Sequence, residues 1–192
     1  KAKRQRGGEE AKEDQGNRYY MPFQYGNSAN PDAHYQSTGM EIVRDLPEVD
    51  FFVAGLGTGG TLMGVGRRLK EHRKDVQIIA VAPEPDETIQ GLRDLDEGFI
   101  PPILDISLLD ARIMAKTMDA FAGTRELLKQ EGIFAGISAG SVVWAAMKIA
   151  SKIESGNIVC LFADGGWKYL SSGIWTKDSE QMEEEARGKI WW

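Results

Sequence analysis

Apolar positions along the chain follow two rhythms. Three short stretches, 50–55 (DFFVAG), 76–82 (VQIIAVA) and 157–163 (NIVCLFA), are almost continuously apolar, as strands buried on both faces are. Between and beyond them, apolar residues recur three and four apart among charged ones, which predicts helices over 31–44, 61–72, 119–130 and 141–153. Asn30 and Pro31 suit the start of the first helix, and Gly132 the end of the third. Strand, helix and strand over 50–82 make a βαβ unit, and such a crossover joins parallel strands. An α/β protein with a parallel sheet is expected. The segment 19–25 (YYMPFQY) reads as a short strand, and 84–102 as a loop with at most a short helix. The acidic stretch 178–187 reads as a solvated helix. Residues 1–18 are charged and lack a sustained apolar period, so they read as a loose leader before one unit over 19–192. Trp191 and Trp192 call for burial against this unit or a partner.

The turn between 55 and 61 carries the chemistry. An apolar strand runs into glycines and directly into a helix. Gly57, Gly59 and Gly60 let the backbone turn tightly and aim several N–H groups at one point, while Thr58 and Thr61 add hydroxyl donors. The positive end of the helix favours an anion there, so the turn reads as a cradle for a phosphorylated ligand. A rival reading uses the same glycines: Gly55, Gly57 and Gly60 satisfy the dinucleotide fingerprint, with Glu84 as the downstream acid. Pro83 and Pro85 flank that acid and argue against it. A purely structural turn is the third reading.

Composition narrows the classes. The 192 residues carry a net charge of −6, which gives no general attraction to nucleic acid. The one basic cluster, 1–6, lies at the terminus and reads as a frayed end. No apolar run reaches membrane-spanning length, and the N-terminus is too polar for a signal peptide, so the cytosol is the expected compartment. Cys160, the single cysteine, sits in an apolar strand and reads as a buried small side chain. His34 and His72 are far apart in sequence and outside any ligand-spaced cluster, so no metal is expected. Residues 136–140 (GISAG) fit a hydrolase nucleophile elbow, but that elbow needs a histidine after the serine, and both histidines precede Ser138. The better reading is a second glycine-flanked turn with Ser138 aimed at the same cleft, or simply a helix cap.

Four segments taken in order resemble the later part of a cysteine synthase of the pyridoxal-phosphate-dependent β-replacement family. They are FQYGNSANPDAHYQSTGMEI (23–42), GLGTGGT (55–61), EGIFAGISAGS (131–141) and DGGWKYLSSG (164–173). The resemblance runs from about position 19 to the end of the chain. It implies a fold type II large domain: three layers, a mostly parallel sheet and helices on both faces. It also implies pyridoxal 5'-phosphate as cofactor, with Gly57, Thr58, Gly59, Gly60 and Thr61 on its phosphate and Ser138 at its pyridine nitrogen. A neutral serine there leaves the ring unprotonated, which suits β-elimination over transamination. Gln24 matches a glutamine near the substrate carboxylate, and Asp164 matches the strand end beside the ring. In the loop IQGLRDLDEGFIP (89–101), Arg93 stands where B-type and phosphoserine-using synthases carry an arginine, so the resemblance implies that it binds a phosphate leaving group. The implied reaction replaces the β-substituent of O-acetylserine or O-phosphoserine by a sulfur donor, through an aminoacrylate, to give cysteine. A homodimer is implied as well.

One departure matters. The family's Schiff-base lysine motif, P-x-G-S-x-K-D-R, and its T-S-G-N-T loop do not occur in this sequence. Lys168 does not match the anchor's motif and receives no catalytic role. The chain is therefore read as the C-terminal part of a longer protein, inactive by itself. A non-catalytic cofactor-binding or structural module is the alternative from another class, and a nicotinamide-dependent oxidoreductase is a distant third.

Overall fold

The computed structural model describes residues 20–96 and 98–177. Four strands form one parallel sheet: β1 (Phe51–Gly55), β2 (Gln77–Pro83), β3 (Ala111–Ala115) and β4 (Ile158–Cys160), in the order β3-β2-β1-β4. Five α-helices accompany them: α1 (Ala29–Gln36), α2 (Thr38–Asp45), α3 (Gly60–His72), α4 (Thr117–Glu131) and α5 (Ile137–Ala150). Side chains alternate across each strand and feed two cores. Phe52, Ala54, Ile78, Ala80 and Ala82 meet Leu62, Met63 and Leu69 of α3, with Ile42 and Val43 of α2 behind. Val53, Ile79 and Val81 meet Phe121 of α4 and Val142 and Ala145 of α5. The continuous apolar strands are thus covered on both faces, and the molecule is a three-layer α/β fold.

The expected βαβ unit is present, with β1 and β2 in register from Phe51↔Gln77 to Gly55↔Val81. Other expectations need correction. No strand forms over the described part of 19–25; Phe23 takes φ 44° and its carbonyl accepts from the N–H groups of Gly26 and Asn27, which makes a turn. The single helix expected over 31–44 breaks at Ser37, whose hydroxyl donates to Ala33 O at 2.6 Å. The break lets Gly39 of α2 sit against Arg68 of α3, where a Cβ would come within 2.8 Å of the arginine Cβ.

Strand β3 went unexpected because it is an edge strand with only its last residue, Ala115, buried; Arg112 breaks its apolar pattern and pairs with Asp96. Strand β4, the other edge, is shorter than 157–163 and only half-buried. Helices α4 and α5 begin earlier than expected. The Glu87 carboxylate accepts from both Thr117 N and Thr117 Oγ1 and so fixes the start of α4. The leader at 1–18, the acidic stretch 178–187 and Trp191 and Trp192 lie outside the described residues. None of the described helices is long and apolar enough to cross a membrane.

Candidate active site

Strand order fixes where a ligand can enter. The chain moves from β1 outward through β2 to β3, then returns to lay β4 on the other side of β1. In parallel sheets the crevice at such a reversal, beyond the carboxyl ends of the strands, receives ligands. A cavity of about 250 Å³ opens there. After β1 its wall is Gly57, Thr58, Gly59, Gly60 and Thr61; Gly91 and Leu92 come from the long loop, Ser138 and Val142 from α5, and Asp164 and Lys168 from beyond β4.

The glycine turn has the form that its sequence demands. Gly59 takes φ 89° just before α3, a conformation that side chains disfavour. A Cβ on Gly57 would come 2.9 Å from the Gly91 carbonyl oxygen, so the turn and the loop above it close on one another. No side chain caps α3, and the first N–H groups of a helix have no acceptor within it. Thr58, Gly59, Gly60 and Thr61 line the cavity at this helix start, where the helix dipole favours an anion.

Behind the turn lies a hydrogen-bond web that joins α1 to it. Asn30 Nδ2 donates to Gln24 O at 2.8 Å and to Thr58 Oγ1 at 3.0 Å, and Gly60 N donates to Thr58 Oγ1 at 3.2 Å. The His34 ring bridges two hydroxyls, with Nε2 3.2 Å from Thr61 Oγ1 and Nδ1 3.2 Å from Thr38 Oγ1. Burial holds the His34 pKa below its ordinary value, which favours the neutral ring.

Opposite the cradle, Ser138 sits buried in the first turn of α5 and lines the cavity. Its neighbour across the mouth, Asp164, accepts two hydrogen bonds, from Gly136 N to its backbone oxygen at 2.9 Å and from Tyr169 OH to its Oδ2 at 2.6 Å, and pairs with Lys168, whose Nζ lies 3.6 Å from Oδ2. Its Oδ1 is buried without a partner among the described residues. Burial first, and then the Asp164 carboxylate, push the Tyr169 hydroxyl pKa up, so it stays a donor.

The structure thus gathers Gly57, Thr58, Gly59, Gly60, Thr61 and Ser138 around one cavity. Gln24 and Arg93 lie outside its wall. The Gln24 side chain is exposed, and its backbone oxygen holds Asn30. Arg93 is 5% exposed, with its guanidinium 5.0 Å from the Tyr25 ring centre and 4.8 Å from that of Phe99. Its Nη2 is 3.4 Å from Tyr25 OH, and its Nε is buried without a partner among the described residues. Neither histidine lines the cavity, so among the described residues Ser138 lacks the histidine partner that a nucleophile elbow requires. Glu84, which a dinucleotide reading requires, also stays outside the wall. Sequence reasoning missed Asn30 and His34 as supports of the turn; the helix-start signal at Asn30-Pro31 was legible, but its partner across the fold was not.

A glycine turn at a helix start, faced across a cavity by a buried serine, is the arrangement of an α/β protein that takes a compact ligand at the carboxyl ends of its strands. Comparison with known proteins names the group. The family model for "pyridoxal-phosphate dependent enzyme" matches residues 2–164, and the chain belongs to that family. A cysteine synthase of Aquifex aeolicus is 43% identical over 165 residues, which are 83% of this chain and 50% of that protein. A probable cysteine synthase of Bacillus subtilis is 38% identical over 82% of this chain and 54% of its own length. Among solved structures, O-acetylserine sulfhydrylase isoform 3 of Entamoeba histolytica aligns with a TM-score of 0.82 at 33% identity, over 94% of this chain and 56% of that one. The chain spans about half the length of the curated relatives it matches.

Proposed function

We propose that this chain forms the cofactor-phosphate part of a cysteine synthase, which replaces the β-substituent of O-acetylserine or O-phosphoserine by a sulfur nucleophile. The observation that carries the reading is the convergence of the 57–61 turn and Ser138 on one cavity, in a chain 43% identical to a cysteine synthase. The cavity fits pyridoxal phosphate: a glycine turn with two threonine hydroxyls lines it at the start of α3, and the buried Ser138 lines it from α5. When bound, that cofactor supplies an electron sink for the charge left by loss of an amino acid's α-proton. The chain's own residues do the holding. Backbone N–H groups at 57–61 and the Thr58 and Thr61 hydroxyls bind the phosphate, while the α3 dipole favours its charge. Ser138 meets the pyridine nitrogen with a neutral hydroxyl and leaves the ring uncharged. Leu92, Val142 and Leu161 in the wall exclude water from the ring.

Gln24 serves the substrate carboxylate, and the complete protein works as a homodimer. Arg93 selects O-phosphoserine. Its guanidinium has no carboxylate partner among the described residues, and its Nε lacks an acceptor, which supports an anion as the missing partner. The anchor motif is absent from this sequence, so the chain alone is expected to bind cofactor without turnover.

Titrating the chain with pyridoxal phosphate and with pyridoxal, followed by tryptophan fluorescence, tests the cradle. Saturable binding that prefers the phosphate ester by at least tenfold is expected; equal binding of the two would sink the reading. In the complete enzyme, Arg93→Gln is expected to lower kcat/KM for O-phosphoserine at least tenfold more than for O-acetylserine, and an equal loss would remove the proposed selectivity.

A further inference from the structure

We infer that Asn30 is a positioning residue that turns the Thr58 hydroxyl into a fixed donor toward the phosphate, an inference that rests on the cradle reading above. The Asn30 amide has its orientation set by Gln24. The Gln24 carbonyl only accepts, so the nitrogen of the amide must face it, at 2.8 Å. The second hydrogen of the same nitrogen then goes to Thr58 Oγ1 at 3.0 Å. Thr58 Oγ1 also receives Gly60 N–H at 3.2 Å. A hydroxyl oxygen has two acceptor sites and one proton. With both sites filled, the proton is left for a third direction, and Thr58 lines the cavity.

The same contact explains a glycine. Gly60 has ordinary helical geometry, so its backbone does not demand glycine. A Cβ at position 60 would fall 2.0 Å from Asn30 Oδ1. The side chain that orients Thr58 therefore occupies the space that any other residue at 60 would need. Asn30 comes from α1, outside the glycine turn, so the turn is tuned by an element that never touches the ligand.

The test is a double-mutant cycle on the full chain, read as dissociation constants for pyridoxal phosphate and for pyridoxal, with Asn30→Ala, Thr58→Val and the pair. Asn30→Ala is expected to weaken pyridoxal phosphate about tenfold and leave pyridoxal unchanged. In the Thr58→Val background the same substitution is expected to add less than about twofold, because the hydroxyl it orients is gone. Asn30→Leu, which keeps much of the volume but removes both donors without adding charge, gives the same reading should Asn30→Ala fail to fold. Three results overturn the inference: pyridoxal phosphate affinity unchanged in both Asn30 variants, an equal loss for pyridoxal, or additive losses in the cycle. Failure of the wild-type chain to prefer pyridoxal phosphate over pyridoxal would instead overturn the cradle reading and this inference with it.

Discussion

Helices α4 and α5 touch backbone to backbone, and a single methyl group tests how closely. A Cβ at Gly140 would lie 2.0 Å from Ala120 O, 2.1 Å from Thr124 Oγ1 and 2.5 Å from Thr124 N. Two of those three atoms are main chain, so no rotamer change relieves the clash. Ordinary carbon–oxygen contact needs roughly another ångström, which the helices supply only by moving apart. Alanine gains about 1 kcal/mol of helix propensity over glycine. Overpacking a well-filled interface costs about 1–3 kcal/mol and occasionally more, and here the obstacle is rigid. Gly140→Ala is therefore expected to destabilise by ~2 kcal/mol, a fall of about 4–8 °C in Tm for a chain of this size. Gly66→Ala is the control, also in a helix. There the nearest atoms, Leu108 Cδ2 at 3.1 Å and Ile78 Cγ2 at 3.3 Å, are side-chain methyls able to yield, so stability is expected to hold or rise. Thermal unfolding followed by circular dichroism compares the two. Equal midpoints for the two variants would refute the reasoning.

Asp50 accepts Asn157 N–H and Arg73 Nη2, each at 2.7 Å, and the backbone contact, then the arginine, hold its pKa below the usual carboxylate value. Its contribution is thus complete above about pH 4 and lost as pH falls through the folded-state value; Asp50→Asn is expected to cost ~1 kcal/mol at neutral pH and to flatten that acid dependence in urea unfolding. His34 has a lowered pKa, so as pH drops below about 6.5 the unfolded chain binds the proton first and stability declines until the folded-state value is passed. His34→Gln is expected to remove that slope, and a slope that persists would assign it to another group. Burial pushes the Cys160 thiol up to about 11, so alkylation at pH 8 is expected to run roughly a hundredfold slower than for a free thiol. Reaction at the free-thiol rate would show that edge strand β4 opens.

Long, doubly buried elements were legible from residue order alone. The β1, α3 and β2 unit follows from continuous apolar runs around an amphipathic helix, and its glycine turn reads as an anion cradle, with a dinucleotide fingerprint and a purely structural turn as rivals on the same residues. The edges were not legible. Strand β3 exposes Ala111 and Arg112, so its pattern resembles a loop, and only its pairing with β2 makes it a strand. The break at Ser37 has a tertiary cause, since Gly39 must approach Arg68. At the site, glycines and Ser138 announced themselves through local backbone needs. Asn30 and His34 act across 28 and 27 positions of sequence, and no local pattern carries such a partnership.

The order of the sheet also sets a timetable. Phe51 of β1 pairs with Gln77, 26 positions away, and with Ile158, 107 positions away. Closing the longer loop costs about 1 kcal/mol more in chain entropy, and β4 offers only three paired positions in return. The segment bearing the phosphate cradle is therefore expected to gain protection from hydrogen exchange early in refolding, and the Asp164 wall to gain it late. On the proposed function, a cofactor meeting the nascent protein would find the 57–61 turn assembled before the Asp164 side of the cleft had closed.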